Sequence, residues 1–151
     1  MGMDDSMQQA LEQAKAAGSR GEVPVGAVVT DATGAVIAAA GNAVEAGQDA
    51  SAHAEMLALR QAAAKLGAKF LADCTLTVTL EPCAMCAGAI SQFRPARLVF
   101  GAYDPKSGGV EHGPRIFAQP TTHHRPEIIG GVRETECAAL LKEFFGRLRD
   151  A

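Results

Sequence analysis

Met3, Met7, Leu11 and Ala14 recur at spacings of four, four and three, which predicts an amphipathic helix that stops at Gly18. The pattern then shortens. Val25–Thr30 and Ala35–Ala38 are β-type runs joined by Asp31-Ala32-Thr33-Gly34, a turn cluster that predicts an antiparallel hairpin. From Ala52 to Leu66, Met56, Leu59, Ala63 and Leu66 return to helical spacing and Gly67 supplies the stop, so His53 and Glu55 are expected on the first turn. Thr75–Leu80 alternates as a strand and runs directly into Glu81-Pro82-Cys83. A helix from about Ala84 to Phe93 must end at Arg94-Pro95, because the residue before proline is pushed out of the helical region. Arg97–Phe100 and Glu127–Ile129 read as two more strands. A last helix after Gly130-Gly131 carries Cys137, Leu141, Phe144, Phe145 and Leu148 on one stripe. Strands alternating with helices after one hairpin predict an α/β domain of three layers around a mixed sheet.

One stretch breaks the pattern. Gly101–Pro126 holds four prolines and four glycines with little periodicity, and so long a connection in a compact domain is usually functional or mobile, here a substrate loop.

Composition narrows the class. The chain has 151 residues, of which 48% are hydrophobic and 21% charged, the profile of a single domain spanning 1–151. Its apolar runs are far shorter than the roughly 20 residues of a membrane helix, and its start lacks a targeting pattern, so a cytoplasmic protein without a membrane partner is expected. A formal net charge of -3 gives no global attraction to phosphate, so any nucleic acid must be held by a local basic patch.

The chemistry concentrates at Cys83 and Cys86, about 60° apart around a helix axis and able to converge on one ion. His53 and Glu55 differ. Two residues apart, they would leave opposite flanks of a regular helix, so they share a site only beyond its N-terminus. Two helix N-termini facing one metal would favour thiolates. Two thiolates with a neutral imidazole balance the charge of Zn2+, leave a fourth position for water, and free Glu55 to carry protons. Other readings share parts of this set. A redox dithiol uses Cys-x-x-Cys but gives His53 and Glu55 no role. A structural zinc site needs a fourth protein ligand, for which Cys74, Cys137, His123 and His124 are candidates. Cys74 and Cys137 read rather as buried small hydrophobes, and His112, His123 and His124 as loop or surface residues.

At His53-Ala54-Glu55 and Pro82-Cys83-Ala84-Met85-Cys86 the sequence resembles the zinc-dependent deaminases of nucleosides and bases. Further blocks, among them Glu22–Val28, Ala58–Gln61, Val78–Ala89, Asp104–Gly108 and His124–Ile128, look like the bacterial tRNA-specific adenosine deaminases within that family. The resemblance runs from about Met7 to Arg147. It implies a cytidine deaminase-like α-β-α fold with a five-stranded mixed sheet, and a homodimer. It further implies zinc held by His53, Cys83 and Cys86, Glu55 as proton shuttle, and hydrolysis of a flipped adenine to inosine at the wobble position of a tRNA anticodon. By the same resemblance, Asn42 would contact the target nucleotide, Asp104 and Lys106 the anticodon loop, and Phe145 its vicinity. His123 stands where the family often has Asn. Lys106, Arg115, Arg125, Arg147 and Arg149 could form a basic rim that positions phosphates. Gly41 replaces a bulkier family residue, and no lysine-rich tail follows Arg149. The alternative within the family is deamination of a free base or nucleoside, of guanine or cytosine type.

Overall fold

The computed structural model describes residues 2–150. Five strands lie in the order β2-β1-β3-β4-β5, built from β1 (Gly26–Thr30), β2 (Val36–Gly41), β3 (Thr75–Leu80), β4 (Arg97–Ala102) and β5 (Glu127–Ile129). β1 is antiparallel to both β2 and β3, whereas β3, β4 and β5 run parallel. The hairpin turn forms because Asp31 Oδ1 accepts the backbone N–H groups of Thr33 and Ala35 at 2.9 and 3.0 Å, an Asx turn.

Helices cover both faces, as the alternation of elements predicts. α1 (Met3–Ser19) packs Met7, Ala10 and Leu11 on one face with Val99, Ala102 and Cys137, the last from α5 (Glu134–Asp150). α3 (Ala54–Leu66) and α4 (Ala84–Phe93) cover the other face, where Ala54, Ala58, Leu59, Ala62, Ala87 and Ile90 meet Ala27, Val29, Leu76, Val78, Leu98 and Phe100. α2 (Val44–Gly47) is a single turn after β2, and a 3-10 turn, Ile116–Ala118, interrupts the long connection before β5. Among the described residues, no helix is long and apolar enough to cross a membrane.

Two stripes differ from expectation. On α3 the buried face is Ala54, Glu55, Ala58, Leu59 and Ala62, while Leu66 is exposed. The small alanines let the helix lie close to the sheet, and a periodicity traced through the larger side chains is offset from that face. On α5 only Cys137 is buried, and Phe145 and Leu148 are 42% and 58% exposed. Both border a cavity instead of filling the core.

Close approach explains Gly41. A Cβ there would lie 2.7 Å from the Gln13 carbonyl oxygen and 2.9 Å from Ala17 Cβ, so the contact between α1 and the end of β2 excludes a side chain.

Candidate active site

Both helices that reach the site start without a side-chain cap of their own. His53 is the N-cap of α3 (φ -75°, ψ 150°) and Cys83 the N-cap of α4 (φ -71°, ψ 175°), both in extended backbone. His53 therefore stands one position before the first turn on which the sequence pattern puts it. That shift matters: it turns the ring outward from the helix end while Glu55 stays on the buried face behind it. Ala54 N–H, left unpaired by the helix, donates to Asn42 Oδ1 at 2.8 Å.

His53 Nδ1 lies 3.7 Å from Cys83 Sγ and 3.5 Å from Cys86 Sγ, and the three ligand atoms are all within 4.8 Å of one another. A tetrahedral zinc with ordinary Zn–S and Zn–N bonds requires S···N separations of about 3.6 Å. The donor set fits the metal in identity and spacing. Among the described residues no further His, Cys, Asp or Glu joins the cluster. Cys74 and Cys137 are buried in the two apolar cores, and His124 Nε2 is 2.7 Å from the Pro95 carbonyl oxygen. The fourth position is thus left to water or substrate, which separates a catalytic from a closed structural site.

The electrostatics of the metal-free site agree. A hydrogen bond from the Cys86 thiol, opposed by burial and helped by His53, pulls Cys83 down to about 4. The same hydrogen bond, with burial, pushes Cys86 up. His53 is raised by its contact with Cys83. Burial raises Glu55 to about 7, and the Cys83 charge adds to this against a hydrogen bond from its own amide.

These groups open into a cavity of about 500 Å³, within the usual range of small-molecule sites, lined by His53, Glu55, Cys83, Asn42, Asp104 and Phe145 among others. It adjoins a cleft of about 820 Å³ that Asp104 and Phe145 also border, with Lys106 and Arg149. The structure thus brings Asn42, Asp104, Lys106 and Phe145 toward the metal ligands. It does not bring His123 and Arg125 there. Ser91 Oγ accepts the His124 N–H at 3.1 Å, and Arg125 Nη2 donates to the Gln119 carbonyl. Ser91 is eight residues along α4 from Cys83, roughly 12 Å at helical rise.

Residues 3–102 match the family described as cytidine and deoxycytidylate deaminase zinc-binding region. The chain belongs to this zinc-dependent deaminase family. The deaminase is 49% identical to the tRNA-specific adenosine deaminase of Agrobacterium fabrum over 95% of this chain and 93% of that protein. Its fold is similar to a solved structure from work on A-to-I editing by tRNA:A34 deaminases, with a TM-score of 0.89, 49% identity, and coverage of 91% and 99% of the two chains. It is also similar, at 27% identity and a TM-score of 0.78, to the guanine deaminase of Nitrosomonas europaea, over 95% of this chain and 84% of that one.

Two acidic residues of the deaminase site escape a reading by chemistry alone. Glu22 and Glu81 both line the cavity and are buried. Glu22 accepts the N–H groups of Glu45 and Ala46 at 3.0 and 2.9 Å, which hold its carboxyl below the usual value. Burial would push Glu81 up, but N–H donors from Asp104, His112, Glu111 and Val110 outweigh it and lower its pKa. The available signal was a carboxylate adjoining an apolar run at Glu22-Val23 and Leu80-Glu81. A charge there stays buried only if its hydrogen bonds are met.

Proposed function

We propose that this single-domain deaminase hydrolyses adenosine to inosine at the wobble position of a tRNA anticodon. The observation that carries the reading is the near full-length likeness to tRNA adenosine deaminases at 49% identity, against 27% to the guanine deaminase. The cleft beside the cavity, bordered by Lys106 and Arg149, suits a substrate larger than a free base, because a nucleic acid needs phosphate contacts outside the pocket that reads its base.

The reaction replaces the C6 amino group of adenine by oxygen from water and releases ammonia. Zinc held by His53, Cys83 and Cys86 supplies Lewis acidity that lowers the pKa of water. Glu55 takes one proton from the attacking water and delivers it to N1 of the purine, then takes the second from the resulting C6 hydroxyl and delivers it to the departing amine. Asn42 is oriented by its hydrogen bond to Ala54: with Oδ1 used, its Nδ2 is the free donor for an acceptor on the nucleotide. Val25 and Leu80 supply apolar wall, and Phe145 is an exposed ring against which a neighbouring base can stack. His123 and Arg125 would touch a substrate only where it extends beyond the cavity.

Incubation of the zinc-loaded protein with an anticodon stem-loop bearing adenosine at the wobble position should yield inosine, read by nucleoside mass. Ammonia release from guanine or cytidine with no inosine in any stem-loop would favour the free-base alternative instead. Asn42→Asp keeps the acceptor for Ala54 but loses the donor, so it should lower kcat/KM about tenfold or more with little change in Tm. Equal activity for Asn42→Asp would remove Asn42 from the substrate contacts.

We propose further that the protein is a homodimer, as the resemblance implies, and works in the cytoplasm, where tRNA is met. Exposed Met85, on the first turn of α4 beside the metal ligands, supports a second copy there. Sedimentation as a monomer at micromolar concentration would contradict it.

A further inference from the structure

Residues 104–112 leave β4 without regular secondary structure, yet Asp104 and Ser107 within them line both the metal cavity and the adjoining cleft. A segment of this kind is mobile unless something outside it ties it down. The tie is one side chain. Glu81 Oε1 accepts the Asp104 N–H at 3.0 Å and lies 2.8 Å from His112 Nδ1. Glu81 Oε2 accepts the N–H groups of Val110, Glu111 and His112 at 3.2, 2.9 and 3.1 Å. Both ends of the loop therefore meet on a single carboxylate whose side chain has no solvent exposure.

The middle of the loop is drawn down as well. Gly108 forms an isolated β-bridge with Cys83, and Gly109 N–H donates to the Pro82 carbonyl at 2.8 Å. A Cβ on Gly108 would collide with the Glu81 carboxylate, and one on Gly109 would lie 2.6 Å from Ala84 N. The loop thus rests on the same strand-to-helix junction that supplies two metal ligands.

We propose that Glu81 is a positioning residue for substrate: its carboxylate, with His112 as side-chain partner, clamps residues 104–112 and so sets Asp104 and Ser107 over the metal cavity. The claim deepens the reading of that cavity as the nucleotide pocket and rests on it. Glu81 moves no proton in the reaction. A carboxylate only accepts, which suits a ring of N–H donors, whereas an amide in its place would turn a donor toward them. The loss falls on substrate binding, because His53 and Glu55 stand on α3, which the clamp does not touch, and the loop meets Cys83 through backbone alone.

Glu81→Gln and His112→Ala test this, each compared with wild type in three measurements. The first is amide hydrogen exchange across 104–112 in zinc-loaded protein. The second is the thiolate-to-metal charge-transfer spectrum after cobalt substitution. The third is KM and kcat on the anticodon stem-loop. For Glu81→Gln, exchange at Asp104 and at 110–112 should rise about a hundredfold and KM about tenfold, with the cobalt spectrum unchanged and kcat close to wild type. His112→Ala deletes one of the five contacts from a half-buried position, and should show the same changes at smaller size should Glu81→Gln not fold. Unchanged exchange in the folded variants would overturn the proposal. So would an altered cobalt spectrum with kcat falling at constant KM, which would make Glu81 a support of the metal site. Exchange and spectrum are read without substrate, so an unreactive stem-loop in wild type would sink the substrate reading while leaving the clamp decided.

Discussion

Glu55→Gln should lower kcat by about a thousandfold or more while the protein keeps its zinc and its fold. The expectation follows from eliminating the other titratable groups that line the cavity. Glu22 and Glu81 are occupied by backbone N–H donors, and His53 and Cys83 belong to the candidate metal cluster. Asp104 accepts the N–H groups of Lys106 and Ser107 to close its own turn, and Glu45 is exposed at the rim. Glu55 alone combines burial, proximity to the ligands and a carboxylate engaged only by its own amide and the Cys86 thiol. Glutamine fills the same space but cannot carry a proton. Turnover on the stem-loop together with zinc content per chain checks both halves of the statement. Retained turnover would remove Glu55 from proton transfer, and loss of zinc would recast it as a ligand.

A second consequence concerns stability without metal. Burial raises the folded-state pKa of Glu55 to about 7 from an ordinary 4.5. Between these values the folded chain binds more protons than the unfolded one. The stabilisation from protonated Glu55 is therefore complete below about 4.5 and is lost as pH rises through about 7. Denaturant unfolding of metal-free wild type and Glu55→Gln at several pH values should show that this part of the slope is absent in the variant.

Zinc removal has the other large effect. Chelation should abolish turnover and lower the unfolding free energy by about 4 kcal/mol relative to protein with free zinc at a thousand times Kd. Thermal melts with and without chelator measure it, and coincident melts would mean that the cluster does not hold metal in the folded state. Proton balance provides an independent check. Without metal, Cys86 keeps its proton by donating to the Cys83 thiolate, and His53 is raised by the same thiolate. Binding must expel these protons, about one to two per zinc near neutral pH. Titration calorimetry in buffers of different ionisation enthalpy counts them, and affinity should weaken as pH falls.

The amino-acid pattern was informative where contacts are local. Cys83 and Cys86 share one helical turn, so their convergence follows from helix geometry. His53 and Cys83 are the N-caps of α3 and α4, so both helix starts come to one cluster, in keeping with a site shared at a helix end. Asp31–Gly34 closes its hairpin with hydrogen bonds within four residues. Apolar period was less informative. On α3 it followed the large side chains and was offset from the alanine face, and on α5 it put Phe145 and Leu148 on one stripe with buried Cys137 although they border open space.

By itself, then, the sequence determined the α/β class, the hairpin, the element boundaries to within a few residues, and which His and Cys residues gather as a candidate metal cluster. Each is encoded in residues close in the chain or in a pattern that fixes which face is apolar. Only the tertiary structure decided that Glu22 and Glu81 brace the two walls of the cavity, through hydrogen bonds spanning 23 to 31 residues. It alone separated Asp104 and Lys106, which border the site, from His123 and Arg125, which do not line the cavity or the adjoining cleft. The physical reason is common to both. Periodicity specifies how an element buries its face, whereas the meeting of two loops depends on strand order and helix packing, and neither leaves a local signature in the residues that meet.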